Sequence, residues 1–166
     1  MKIEDMKIED ILGMAVKTEL EAHNFYSNLA TKISHADVKK KVLSLASDEM
    51  RHKNIMENLY RKTLGKEPEV LPSKGVPDIL KAISSLQIGD RTQVLQVLDM
   101  AIEAEATAAK FYQHGASIST DRKMRDIFEE LEREEDGHFH YLTAERSSLS
   151  GDLYWFSISD SAMMEE

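Results

Sequence analysis

Two copies of a Glu-x-x-His motif contain the residues of this chain that are best suited to chemistry. Glu49 and His52 form the first copy, and Glu135 and His138 form the second copy, 86 residues later. A carboxylate and an imidazole at positions i and i+3 lie on one face of a helix, so both can reach the same metal ion. One such motif arises by chance in a glutamate-rich protein. Two copies at a fixed offset indicate a shared purpose.

A second repeated pattern, Glu-x-x-Ala-x-x-x-Tyr, begins thirty residues before each motif. In the first half of the chain it contains Glu19 and Tyr26. In the second half it contains Glu105 and Tyr112, each again 86 residues further along. All four glutamates and both histidines therefore obey one offset with no insertion, which indicates two halves of one design.

Apolar residues recur every three or four positions around these motifs, and this spacing predicts four long helices. The predicted helices cover about residues 6–33, 36–63, 91–118 and 121–147. Every glutamate and histidine of the repeated motifs falls on an apolar stripe, the face that a helix buries against its neighbours. These polar side chains are therefore expected to point inward.

The positions of the two turns predict which side chains face each other. The turn near residue 34 lies midway between Glu19 and Glu49. The turn near residue 120 lies midway between Glu105 and Glu135 in the same way. Residues equidistant from the turn of an antiparallel helical hairpin lie at the same height. Each half is therefore expected to bring its glutamates together across a hairpin.

The fold class that follows is all-α, a four-helix bundle of two repeated hairpins with a long crossover connection. Residues 1–147 are expected to form this one domain, with the crossover at about 64–90, where all three prolines lie. A short helix is expected within 77–86. The tail, 148–166, contains Tyr154, Trp155 and Phe156 and is expected to pack on the bundle or on a partner subunit.

Composition excludes several classes of function. The chain has 166 residues, a formal charge of −9 and no cysteine. The negative charge argues against nucleic acid or an anionic membrane as the main partner. The lack of cysteine excludes disulfides, thiol nucleophiles and iron–sulfur clusters. No apolar run approaches the length of a signal sequence core or a membrane span, so a cytoplasmic location is expected.

Four inward carboxylates at one height would repel one another and lose hydration. They could be protonated, paired with Lys or Arg, or bound to metal. Pairing is the weakest option, because no Lys or Arg lies on the apolar stripes at these heights. Two divalent ions would neutralise four carboxylates, and each histidine would add a neutral nitrogen ligand.

This set of residues resembles that of the rubrerythrin and ferritin-like di-iron carboxylate family, over about residues 7–147. The resemblance implies a ferritin-like bundle that holds two iron ions, although manganese and zinc accept the same ligand types. It implies Glu19 and Glu105 as terminal carboxylates, Glu49 and Glu135 as bridging carboxylates, and His52 and His138 as one nitrogen ligand to each ion.

Two departures from rubrerythrins bear on the activity that the resemblance implies. Rubrerythrins have a further carboxylate one turn after the third-helix ligand, and here that position is Ala108. They also usually contain a cysteine-ligated rubredoxin domain as electron donor, and this chain has no cysteine. Electrons are therefore expected from a separate donor protein.

Four further side chains are expected around the metal ligands. Asp48 and Glu134 each precede a bridging glutamate, and we predict that Asp48 orients His138 and that Glu134 orients His52. The alternative is that both are surface acids. Tyr26 and Tyr112 either donate hydrogen bonds near the site or are ordinary core residues. The other histidines are not expected to be ligands: His23, His35, His114 and His140.

Three functions remain open from the sequence. The first is a di-iron oxidoreductase that reacts with hydrogen peroxide or dioxygen, in the manner of a rubrerythrin-like peroxidase in oxidative-stress defence. The second is a ferroxidase or iron-handling protein. The third is a non-catalytic, metal-stabilised helical binding module. A homodimer is expected, whereas iron storage would need a cage of many subunits.

Overall fold

Four long helices make up most of the computed structural model, which describes residues 5–33, 36–68, 72 and 91–148. The predicted all-α fold class is confirmed, and the helix bounds agree with the predicted ones within a few residues. The helices are α1 (Ile8–Lys32), α2 (Ala36–Leu64), α3 (Arg91–Ile118) and α4 (Arg122–Ser148). No helix within these ranges is both long enough and apolar enough to cross a membrane.

The helices pair as two hairpins, α1 with α2 and α3 with α4. The hairpins pack on each other through α1 against α3 and through α2 against α4. Along α1, Glu19 contacts Tyr112 and Tyr26 contacts Glu105, so the residue number rises in α1 as it falls in α3. These two helices are therefore antiparallel.

The relative direction of α2 and α4 constrains the connection between the hairpins. His52 of α2 lies against Glu134 of α4, whereas the earlier residue Asp48 lies near the later residue His138. Because α2 is antiparallel to α4, it runs parallel to α3. The end of α2 and the start of α3 thus lie at opposite ends of the bundle, the geometry that requires a long crossover. The helix expected within 77–86 and the aromatic tail lie outside the described residues.

Local signals at the helix ends agree with these bounds. The Asp121 carboxylate accepts a hydrogen bond from the backbone N–H of Met124 at 2.9 Å, which caps the start of α4. Gly65 follows α2 with a φ of 64°, a left-handed conformation that glycine adopts without strain. Its N–H donates to the carbonyl of Arg61 at 2.9 Å and closes the last turn.

The apolar core is divided into two layers. One layer joins the start of α1 and α4 to the end of α2 and α3, and it contains Ile11, Met56 and Phe128. The other joins the opposite helix ends and contains Leu98 and Leu142. The inward carboxylates lie between the two layers, so apolar packing on both sides keeps water away from them and fixes their height in the bundle.

Candidate metal centre

All six residues of the repeated motifs come together in the middle of the bundle. Their ligand atoms form two groups, and within each group these atoms lie within 4.8 Å of one another. Glu49 and Glu135 belong to both groups. Glu19 and His52 complete one group, and Glu105 and His138 complete the other. This division is the one expected for two bridging and four terminal ligands.

In the first group, the imidazole of His52 points its Nδ1 atom at three carboxylates. The distances from Nδ1 are 2.8 Å to Glu135 Oε1, 3.6 Å to Glu49 Oε2 and 3.7 Å to Glu19 Oε2. Two ligand atoms held about 2.1 Å from one ion at a right angle lie about 3.0 Å apart. The observed separations are close enough for these atoms to share one ion after small side-chain movements.

The second group repeats this geometry around His138. Its Nδ1 atom lies 3.3 Å from Glu49 Oε1, 3.4 Å from Glu135 Oε2 and 3.6 Å from Glu105 Oε2. The two imidazole rings stack with centroids 5.9 Å apart. Each half of the chain thus supplies one histidine, and the same two glutamates lie between the groups.

Buried polar atoms in these groups lack ordinary partners. Within the described residues, five atoms of these two groups make no well-aligned hydrogen bond: Glu49 Oε1, His52 Nδ1, both carboxylate oxygens of Glu135 and His138 Nδ1. Folded proteins satisfy nearly all such atoms, since an unsatisfied one costs about 1–3 kcal/mol. All five are potential electron-pair donors aimed at the same space. Two divalent cations would satisfy them together, so the residues present fit a two-metal centre.

The charges of the centre are in conflict without cations. Burial raises the pKa of Glu49 well above its usual range, and the Glu135 carboxylate raises it further. Burial and the same neighbour raise the pKa of Glu105 to about 8. Burial acts to lower the pKa of His52 and His138, but the surrounding carboxylates outweigh it and raise the pKa of both. The metal-free centre therefore retains protons that metal ions would displace.

The family model described as Rubrerythrin matches residues 10–146 of the chain. The chain belongs to the rubrerythrin family. This finding confirms the resemblance that the repeated motifs indicated.

Two relatives of this rubrerythrin-family chain extend the comparison. "Uncharacterized protein YhjR" of Bacillus subtilis (strain 168) is 27% identical over 139 residues, which cover 81% of this chain and 86% of that protein. A hypothetical protein from Pyrococcus furiosus has a solved structure with a TM-score of 0.79 and 29% identity, and the match covers 90% of this chain and 96% of the other. Neither name states an activity, so these relatives support the fold alone.

The two outer carboxylates differ in how closely they approach the histidines. Glu134 Oε2 lies 2.8 Å from His52 Nε2, a hydrogen-bond distance that would orient this ring with Nδ1 toward the centre. Asp48 Oδ2 lies 3.6 Å from His138 Nε2, which is beyond a hydrogen bond. Glu134 thus occupies the position that its predicted role requires, whereas Asp48 is only nearby.

Sequence reasoning missed Arg51, which lies between the two residues of the first Glu-x-x-His motif. Its guanidinium forms an ion pair with Glu134 and lies 3.6 Å from Asp48. Burial acts to raise the pKa of Glu134, but Arg51 and His52 lower it below its usual range. The sequence did contain a signal for Arg51: the two motifs repeat, but the position equivalent to Arg51 in the second motif is Gly137, so the two motifs differ there.

Each of the two predicted tyrosines lies against a glutamate of the opposite hairpin. Tyr26 donates a hydrogen bond to Glu105, and Tyr112 donates one to Glu19. Both tyrosines are 1% exposed, and burial raises the pKa of each hydroxyl well above its usual range. The hydroxyl groups therefore remain protonated and act as fixed donors to the two carboxylates.

We expect Tyr26→Phe to lower the free energy of unfolding of the metal-free protein by about 1–2 kcal/mol, because Glu105 loses its buried donor. Urea denaturation measures this loss. Tyr112→Phe should cost a similar amount through Glu19. In a double-mutant cycle, Glu105→Gln should reduce the effect of Tyr26→Phe. An unchanged effect of Tyr26→Phe in the Glu105→Gln background would show that the hydroxyl stabilises the fold by another route.

A pocket reaches the carboxylates from the side of α1 and α3, and its space measures about 330 Å³ when the adjoining open solvent is included. The histidines approach from the other side, formed by α2 and α4. Small side chains at repeat-equivalent positions make room for it, notably Ala22 and Ala108. Its lining consists of Thr18, Glu19, Ala22, Phe25, Tyr26, Glu49, Ala104, Glu105, Ala108 and Glu135.

Three of the remaining histidines lie in the described residues, and none of these three is part of either ligand group. The Nδ1 atom of His23 lies 2.7 Å from the carbonyl of Ala46. His114 Nε2 lies 3.3 Å from the carbonyl of Met6, and His140 lies on the exposed side of α4. His35 lies outside the described residues.

Proposed function

We propose that this chain is a di-iron oxidoreductase that reduces hydrogen peroxide, with electrons from a separate donor protein. The observation that carries the proposal is the pair of overlapping carboxylate–histidine groups that faces a pocket on one side. Family membership is consistent with iron as the metal. The proposed metal ligands are Glu19, Glu49, His52, Glu105, Glu135 and His138.

The stoichiometry of the reaction sets what the site must provide. Each hydrogen peroxide takes up two electrons and two protons to give two molecules of water. Two ferrous ions, when bound, would supply one electron each and Lewis acidity toward an oxygen ligand. The electron donor restores the reduced state afterwards. A two-metal centre is therefore matched to a two-electron reduction.

The protein itself contributes a shaped and protected site. The Tyr26 and Tyr112 hydroxyls fix the orientation of the two terminal carboxylates, so these ligands are held in place before reagent arrives. The apolar layers above and below keep bulk water from the carboxylates. The pocket leaves one direction open, the side of α1 and α3, through which a small molecule can approach.

A second candidate function is ferroxidase activity, in which Fe(II) is the substrate. Four buried glutamates lie at the inner end of the pocket, and carboxylates there attract cations that enter it. In this alternative, dioxygen or peroxide oxidises iron that enters by the pocket and then leaves. The chemistry at the ligands is similar, so kinetics must distinguish the two.

Stopped-flow absorbance tests the proposal. Anaerobic protein with two Fe(II) per chain is mixed with hydrogen peroxide or, separately, with dioxygen. The peroxidase proposal predicts much faster oxidation by peroxide. Equal or faster oxidation by dioxygen, followed by turnover of added Fe(II), would favour the ferroxidase. No oxidation by either reagent, in protein confirmed to contain two irons, would contradict both and leave a metal-stabilised binding module.

We expect Ala22→Leu to slow peroxide-driven oxidation by about tenfold without loss of metal. The larger side chain projects into the pocket one turn after Glu19, but it removes no ligand. The measurement is the same stopped-flow reaction, together with iron content. Ala106→Leu is the matched control, because Ala106 is half-buried like Ala22 but is not among the pocket-lining residues. Equal rates in the two variants would rule out the pocket as the route of the reagent.

A further inference from the structure

The surroundings of His52 and His138 differ, although the two halves of the chain repeat the same motifs. His52 is fully buried at 0% exposure, and its Nε2 atom lies 2.8 Å from Glu134. His138 is 9% exposed, and its Nε2 atom lies 3.6 Å from Asp48. One imidazole therefore has a close carboxylate behind it, and the other does not.

The first cause of this difference is the length of a side chain. Asp48 and Glu134 occupy equivalent positions in the two halves, each directly before a bridging glutamate. Aspartate is shorter than glutamate by one methylene group. The shorter side chain leaves the Asp48 carboxylate beyond hydrogen-bond distance of His138, whereas the longer side chain of Glu134 reaches His52.

The second cause is the residue before each histidine. Arg51 forms an ion pair with Glu134 across the bundle, and its guanidinium also lies 3.4 Å from His52 Nε2. Its equivalent in the second motif is Gly137, which has no side chain. Within the described residues, no atom outside its own helical backbone and its chain neighbours lies within 4 Å of where a Cβ would be at Gly137. The surface beside His138 is therefore open.

A carboxylate held behind a metal-binding imidazole fixes the ring and makes it a stronger ligand, and loss of such a partner typically weakens metal binding by about 10–100-fold. Arg51 holds Glu134 in that position behind His52. For His138, no carboxylate lies at hydrogen-bond distance, and Arg51, although it lies 3.6 Å from Asp48, does not bring that carboxylate closer to the ring.

We propose that Arg51 is a positioning residue that makes the two metal positions unequal. The ion bound by Glu19 and His52 is retained, and the ion bound by Glu105 and His138 exchanges readily. This inference rests on the two-metal centre of the proposed function. It adds an order of metal binding: the position formed by Glu105 and His138 fills last and empties first.

If Arg51 only stabilised the fold, Arg51→Ala would lower the thermal unfolding temperature of the metal-free protein. Its side chain is 45% exposed, and exposed ion pairs contribute little to folding stability. Arg51→Ala should therefore leave thermal unfolding of the metal-free protein almost unchanged. The informative readout is the rate at which metal leaves.

The test is chelator-driven release of Co(II) from the full chain loaded with two ions, followed by absorbance. The wild-type protein should release Co(II) in two phases of equal amplitude, with rate constants that differ by about tenfold or more. Arg51→Ala should accelerate the slow phase by about tenfold and leave the fast phase unchanged. Arg51→Lys should restore part of the difference, because an ammonium group can still pair with Glu134.

The reciprocal variant copies the first-half arrangement onto His138. Asp48→Glu combined with Gly137→Arg should slow the fast phase by about tenfold, whereas the control Gly137→Ala should not change it. A single release rate for both ions, or equal acceleration of both phases by Arg51→Ala, would overturn the inference but leave the two-metal centre intact. A chain that binds no Co(II) would overturn the inference and the proposed function together.

Discussion

Replacement of Glu135 with alanine is expected to abolish tight binding of both metal ions, whereas His52→Ala should leave one ion bound. Glu135 contributes to both ligand groups, and neither of its carboxylate oxygens makes a well-aligned hydrogen bond within the described residues. His52 belongs to one group only. The difference between the two variants therefore reports whether the carboxylate bridges.

Metal content after gel filtration, measured by elemental analysis of protein loaded with Fe(II) under anaerobic conditions, gives the stoichiometry directly. We expect two ions per chain in the wild type, about one in His52→Ala and fewer than one in Glu135→Ala. Glu130→Ala is the matched control on the same helix, since Glu130 is exposed and belongs to neither group. If Glu135→Ala and His52→Ala each retained one ion, the bridging role of Glu135 would be wrong.

The second large effect is a widening gap in stability between metal-loaded and metal-free protein as the pH rises. The pKa of Glu105 is raised to about 8 in the fold. An acid whose pKa is raised by folding holds a proton that the unfolded chain releases. Its stabilising contribution is complete below the ordinary pKa of about 4.3 and is lost as the pH rises through about 8.

The other shifted groups decide the net slope in this range. The raised pKa of Glu49, His52 and His138 has the same sign of effect as that of Glu105. Burial acts to raise the pKa of Glu135, but His138 and His52 lower it, so its opposite effect is confined to acid pH. One pKa unit corresponds to about 1.4 kcal/mol, so Glu105 alone should cost the metal-free protein about 2 kcal/mol between pH 6 and pH 8.

Metal ions reverse this trend. They replace the protons on the protein ligands, so metal affinity rises with pH. Because the metal ions bind only the folded state, tighter binding increases the stability of that state. Chemical denaturation at pH 6, 7 and 8, with and without metal, measures both slopes. Glu105→Gln is the control, because a neutral amide at this position removes the contribution of Glu105 and should make the slope of the metal-free protein shallower. A metal-free protein that became more stable from pH 6 to pH 8 would contradict the burial of these carboxylates.

The placement of the six motif residues could be predicted from the sequence because two simple geometries determine it. The helical period places Glu49 and His52 on one face, and the hairpin turn places Glu19 opposite Glu49. The 86-residue offset then implies that the second half does the same. These relations depend on spacing alone, and the structure brings the same residues together.

Other features depend on contacts between the hairpins, which spacing does not specify. Arg51 gains its importance from Glu134, a residue 83 positions away on the other hairpin. The pocket exists because Ala22 and Ala108 leave space between α1 and α3, and empty space becomes visible only once the helices are packed. The repeat also suggested equal roles for Asp48 and Glu134, but one methylene group makes their distances to histidine differ.

The most direct test of the two-metal centre is anomalous X-ray diffraction at the iron edge from crystals of the Fe(II)-loaded protein. Two peaks of comparable height should lie about 3.5–4 Å apart between Glu49 and Glu135, one beside His52 Nδ1 and the other beside His138 Nδ1. A single peak, or peaks outside the space that these side chains enclose, would show that the paired motifs do not hold two iron ions.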